Sequence, residues 1–153
     1  MTVNSLTPDL MVEDLAETLA WYERVFDAEV VATLPEVADA DEGWWAQLEM
    51  GDASLMLQER ESLTEKLPAL EDEDIGGSVA FYIDVDDAEA LSADLADAGV
   101  DTITDVHETD FGWKQFAVED PNGYVLWFGE KLESEGALDI GRRHRSLVRR
   151  HHG

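Results

Sequence analysis

Apolar and polar positions follow one another along this chain in an order that occurs twice. Leu6–Val12 alternates with a period of two, as a half-buried strand does. Pro8 places that strand at an edge or its own start, because proline gives no N–H to a ladder. At Glu13 and Asp14 the period lengthens, and a helix is predicted to about Phe26, with Leu15, Leu19, Tyr22, Val25 and Phe26 on its inner stripe. Acids in the first turn suit the helix dipole. Glu29–Leu34 is predicted as a strand and 35–43 as an acidic loop. Trp44–Met50 and Ala53–Gln58 form a hairpin closed by Gly51 and Asp52.

Residues 59–77 are polar and broken by Pro68, with Gly76 and Gly77 as a hinge signal; they read as a connector, with a helical turn around Leu63–Leu70. Then the order repeats. Ser78–Val85 is a strand, Asp86 and Asp87 open a helix to about Ala98, and Gly99 caps it. Val100–Val106 is the next strand, and a last hairpin pairs Trp113–Glu119 with Tyr124–Phe128 across the turn-forming Asp120, Pro121, Asn122 and Gly123. The helix entries agree in sequence as well as in place: VEDLAE from Val12 and VDDAEA from Val85 lie 73 residues apart. Two βαβββ halves by internal duplication follow, about 5–59 and 78–130, joined by 60–77 into one domain spanning 1–130.

Composition narrows the function classes. There is no cysteine, which removes disulfides and thiolate metal sites. No stretch has the length of a membrane span or the layout of a signal peptide, so a cytoplasmic protein with no membrane partner is expected. The net charge is −26, unevenly placed. Residues 137–153 hold five of the ten Lys and Arg with one acid, leaving 35 acids against 5 bases in the first 136. Such a body repels nucleic acid. Its acidity is read either as a solvated surface adapted to high salt or as a selector of cationic ligands. The basic segment 131–153 is expected to be disordered, its arginines either passive or drawn to anionic groups. No phosphate-cradling glycine loop, nucleophile elbow or paired-histidine zinc motif occurs.

The two βαβββ halves, the helix-opening VEDL and VDDA, and the segment FAVEDPNGYVLWFG near the end resemble the vicinal oxygen chelate superfamily, which includes glyoxalase I, bleomycin-resistance proteins and extradiol dioxygenases. GWKQFAVEDPNGY is most similar to the bleomycin-resistance-like branch. The resemblance implies an α+β fold of tandem βαβββ modules, with curved mixed sheets around a cavity and a homodimer as the working form. It also implies where metalloenzymes of the group would place His, Glu, His and Glu. Seven residues before the helix-opening Asp lie Thr7 and Ala80. The centre of the L-E-L-like triplet is Met56, and the last position, seven after Asp120, is Trp127. A hydroxyl, a methyl, a thioether and an indole make poor ligands for zinc, nickel, magnesium or manganese. The expectation is therefore no metal and no cofactor.

Alternation carries the same faces further. Asp9 goes with Thr7, Tyr82 with Ala80, Ser54 and Gln58 with Met56, and Trp45 with Gln47 and Trp113 with Gln115 join from neighbouring strands. Thr7, Asp9, Trp45, Met56, Ala80, Tyr82, Trp113 and Trp127 are thus the candidate ligand-binding residues of a Trp-lined cavity. Each has a plainer role open to it. Trp127 and Met56 fill core volume, Tyr82 satisfies a backbone carbonyl, and Asp9 is a solvated strand end rather than a base or a cation partner. His107 is read as a loop residue after the strand, either exposed or forming a pocket wall. Three functions remain open: a metal-free binder of a small aromatic or cationic molecule, a metal-dependent lyase, isomerase or dioxygenase with non-standard ligands, and a structural dimer.

Overall fold

A computed structural model describes residues 1–35 and 43–132 of the chain. The basic segment and most of the acidic loop expected at 35–43 lie outside these residues. The described chain runs β1 (Asp9–Val12), α1 (Leu15–Phe26), β2 (Glu29–Leu34), β3 (Trp45–Met50), β4 (Ala53–Glu59), α2 (Arg60–Lys66), a 3₁₀ turn (Pro68–Leu70), β5 (Ala80–Asp84), α3 (Ala88–Asp97), β6 (Thr102–Glu108), β7 (Trp113–Glu119) and β8 (Val125–Lys131). The strands form two mixed four-stranded sheets, β1-β4-β3-β2 and β5-β8-β7-β6. In each, the first strand runs parallel to the fourth and the other pairs are antiparallel. This is an α+β fold of two βαβββ repeats, and neither sheet closes on itself.

The described residues form two compact units, one within Met1–Ser78 with Asp120–Tyr124, the other of Val79–Glu119 with Val125–Leu132. In the first, Leu10, Val12, Ala46, Leu48, Leu55 and Leu57 on one sheet face are buried with Leu15, Leu19 and Tyr22 of α1. In the second, Phe116, Val118, Leu126 and Phe128 are buried with Ala88 and Leu95 of α3, and Phe116 stacks on Phe128 at 5.3 Å. Burying such apolar faces is the main driving force for both units.

The helix starts show the duplication at atomic level. Asp14 and Asp87 each accept a hydrogen bond from the backbone N–H three residues on, at 3.0 Å. A second carboxylate arrives from the strand parallel to the one preceding the helix. Glu59 accepts from Leu15 N (3.2 Å) and Glu130 from Ala88 N (3.0 Å). Two orphan amides at each helix N-terminus are satisfied this way. At its other end α3 stops on Gly99 at φ +83°, whereas α1 stops on Asp27 at φ +56° without a glycine.

Several boundaries differ from those the pattern predicts. β1 starts at Asp9 and β5 at Ala80, so Thr7 and Ser78 precede their strands. Ser78 sits at φ +68°, a conformation no alternation pattern signals. The connector holds a full helix from Arg60, with Leu63 buried, and not a single turn. β6 is shifted two residues toward the C-terminus, which brings His107 into the strand.

Gly76 is more than a hinge. It has φ +91°, and a Cβ there would strike the Asn122 carbonyl oxygen and the Gly123 backbone of the same unit. Gly77 beside it faces open space. Gly76→Ala is therefore expected to destabilise the protein by about 2 kcal/mol or more, and Gly77→Ala by less than about 0.5. Urea unfolding of the two variants checks this, and equal costs would contradict it.

Candidate functional site

The sheet face of the second unit away from α3 gathers most of the aromatic chemistry. β8 gives its even positions Leu126 and Phe128 to the core, so Val125, Trp127 and Gly129 point to the other side. Register places Tyr82 beside Trp127, Trp127 beside Ala117, and Gln115 between Gly129 and His107. On this face Tyr82 is 50% exposed and Trp113 and Trp127 are half-buried. Tyr82 meets Trp113 edge to face at 5.8 Å, and His107 meets Trp127 edge to face at 6.4 Å.

A chain of hydrogen bonds runs beneath these rings. The Tyr82 hydroxyl donates to Gln115 Oε1 at 3.0 Å, Gln115 Nε2 is 3.2 Å from His107 Nε2, and His107 Nδ1 is 2.9 Å from the Asp105 carbonyl oxygen. Gly129 makes room for it. A Cβ at that position would strike the ring and hydroxyl of Tyr82, so the tyrosine lies across β8 only because residue 129 is glycine. Burial and the nearby Asp84 carboxylate push the Tyr82 hydroxyl up, so it stays protonated at neutral pH.

The eight sequence candidates divide between the units. In the second, Tyr82, Trp113 and Trp127 come together, and Ala80 is the exposed first residue of β5, opposite Val125. Tyr82 bonds a side-chain amide and not a backbone carbonyl. In the first, Asp9 opens β1 in register with Met56 of β4, Met56 faces Gln47, and Trp45 faces Gln58. Thr7 is half-buried ahead of the strand. Burial raises the Asp9 carboxyl above its ordinary value.

His107 and Gly129 are the members of the aromatic face that lie beyond the expected strand ends, Val106 and Phe128. His107 belongs to β6, not to a loop. The register of β6 on β7 shifts twice, between Thr102 and Thr104 and between Thr104 and His107. The two shifts cancel in parity, and what hides the histidine is the strand's end: β6 runs to Glu108, two residues past the expected Val106. Clefts occur elsewhere, one of 520 Å³ lined by Asp84, Val85, Asp86, Glu130 and Lys131, another of 240 Å³ beside Asp14, Thr18 and Asn122.

Metal ligation is a matter of donor chemistry. Among the described residues, no three His, Asp or Glu side chains gather as a metal-holding group. At the positions where the family resemblance implies ligands, this chain has Thr7, Met56, Ala80 and Trp127, whose side chains are neither imidazoles nor carboxylates. No helix among the described residues is long and apolar enough to cross a membrane.

Solved structures share this fold. Among them are TnmS3, an antibiotic binding protein from Streptomyces sp. CB03234, with TM-score 0.66, 22% identity and coverage of 86% of this chain and 98% of that one; a family enzyme from Burkholderia phytofirmans PsJN, with TM-score 0.67, 20% identity and coverage of 82% and 97%; and a lactoylglutathione lyase from Agrobacterium tumefaciens, with TM-score 0.64, 19% identity and coverage of 84% and 95%. No curated protein matches the chain by sequence. The profile of the glyoxalase/bleomycin resistance protein/dioxygenase superfamily matches residues 2–128. With nearly all of the described fold inside that match, the chain belongs to this superfamily.

Proposed function

We propose that this protein binds a small aromatic molecule on the open face of β5–β8, and that it does so without a metal ion. The observation that carries the proposal is the gathering of Tyr82, Trp113, Trp127, Gln115 and His107 on one exposed face, with the polar atoms of Tyr82, Gln115 and His107 joined in a single hydrogen-bonded chain. Exposed aromatic area on a soluble unit is costly to leave to water and is characteristic of a binding surface. The polar chain adds orientation. With a net charge of −26 on the protein, an uncharged or cationic aromatic is favoured over an anionic one. TnmS3, which shares the fold, is an antibiotic binding protein, and binding a small molecule needs affinity alone.

Calorimetric titration with indole tests the proposal. Saturable one-site binding is expected, weakened about tenfold or more by Trp127→Ala through loss of ring contact. Undiminished binding by that variant, or no saturable heat, would contradict it. Metal analysis of protein purified without an affinity tag is expected to give less than about a tenth of an ion per chain, since the donor set is wrong for zinc or nickel. One ion per chain would reopen the metalloenzyme alternative.

A further inference from the structure

The hydrogen bonds beneath the aromatic face have a direction, and the direction follows from one atom that can only accept. The Asp105 carbonyl oxygen lies 2.9 Å from His107 Nδ1, so Nδ1 must hold the proton. In a neutral imidazole Nε2 is then an acceptor, and it receives an N–H from Gln115 Nε2 at 3.2 Å. That orients the amide, leaving Gln115 Oε1 to accept the Tyr82 hydroxyl proton at 3.0 Å. The tyrosine proton is committed inward. What Tyr82 offers outward, beside Trp113, is an oxygen lone pair.

Only one other arrangement satisfies every atom. If position 107 presents a donor in place of the Nε2 lone pair, the Gln115 amide must turn over and accept with Oε1. Its N–H₂ then faces the Tyr82 oxygen, and the hydroxyl proton is released outward. Asp105 and Glu108 flank His107 on β6, and Lys114, opposite Glu108 on β7, pairs with Glu89 of α3.

We propose that His107, acting through the Gln115 amide, sets the hydrogen-bonding polarity of the Tyr82 hydroxyl and so selects aromatic ligands that donate an N–H or O–H. This rests on the binding site proposed above and adds to it the chemical class of the ligand. His107 is a positioning residue here, since the group meeting the ligand is Tyr82.

The test compares two probes of similar size by calorimetry: indole, which donates through N–H, and quinoline, which only accepts. The wild-type protein should favour indole by about tenfold, the worth of one hydrogen bond. His107→Lys places a permanent donor at 107 and should invert the preference, which a merely structural histidine would not do. Equal affinity for both probes, or an unchanged preference in the variant, overturns the polarity assignment and leaves the binding site standing. If neither probe binds the wild-type protein, both proposals fall together. A measurement without ligand decides the first link: ¹⁵N NMR of the imidazole should show His107 protonated at Nδ1 when neutral, and a proton on Nε2 would overturn the relay.

Discussion

Alanine at position 129 should disable the aromatic face while leaving the protein folded. Gly129 has no side chain to lose, and the atoms a Cβ would meet are the hydroxyl and ring of Tyr82. That ring is half exposed, so it can swing into solvent instead of forcing the backbone apart. The cost in stability should stay within about 1 kcal/mol. The cost to the site is larger. Once displaced, Tyr82 loses Gln115 Oε1 and its edge-to-face contact with Trp113 together. Indole affinity should fall about tenfold or more, as expected when one aromatic contact and one oriented hydrogen bond disappear. In a Tyr82→Ala background the same Gly129→Ala change should do almost nothing further to binding, because the two act on one feature. Independent, additive losses in the double variant would show that Gly129 does not work through the tyrosine.

Asp120→Ala should destabilise the first unit strongly, by about 3 kcal/mol. Asp120 is 5% exposed and its carboxylate accepts three hydrogen bonds: from the Tyr22 hydroxyl at 2.7 Å, Asn122 N at 2.8 Å and Tyr124 N at 2.9 Å. Tyr22 is fully buried on the inner face of α1, so alanine would strand its hydroxyl without an acceptor. The turn itself is anchored by the same residues. Asn122 donates to Thr18 Oγ1 and accepts from Glu13 N, and the Tyr124 hydroxyl donates to the Met11 carbonyl. A melting temperature lower by roughly 10 °C is the expected readout.

The pH dependence of Asp120 has a definite sign. Burial raises its carboxyl, outweighing the lowering by the Tyr22 hydroxyl and the backbone N–H groups of Tyr124, Asn122 and Gly123. A folded value above the unfolded one means that its contribution is complete below the ordinary aspartate range and is lost as pH rises through the raised folded value. Measured against Asp120→Asn, the wild-type protein should gain relative stability as pH falls into that range. Parallel stability curves for the two proteins would show that burial has not shifted this carboxyl.

Both halves of the fold could be read from periodicity because their elements are regular and their caps conventional. The swap from period two to period 3.6 at Asp14 and Asp87 marks real helix starts, each closed by the aspartate itself. What escaped reading is irregular or depends on the third dimension. β6 runs on to Glu108, two residues past the expected end, which sets His107 opposite Gln115, and nothing in the composition of Thr102–Glu108 marks that boundary. Gly76 and Gly129 look alike in sequence to any turn glycine. One is required by a neighbouring backbone and the other by a tyrosine hydroxyl, and neither neighbour is near in the chain. Tyr124 continues a strand by pattern, yet it is buried with the first unit, where its hydroxyl reaches Met11.

The location of the binding face can be observed directly through the five tryptophans, Trp21, Trp44, Trp45, Trp113 and Trp127, whose indole N–H signals are separable by NMR. On titration with unlabelled indole, the signals of Trp113 and Trp127 should move and saturate together, while that of Trp21, packed against Tyr22 and Phe26 on α1, stays in place. Saturable shifts confined to Trp21, Trp44 or Trp45, with Trp113 and Trp127 unmoved, would contradict the assignment of the site to β5–β8.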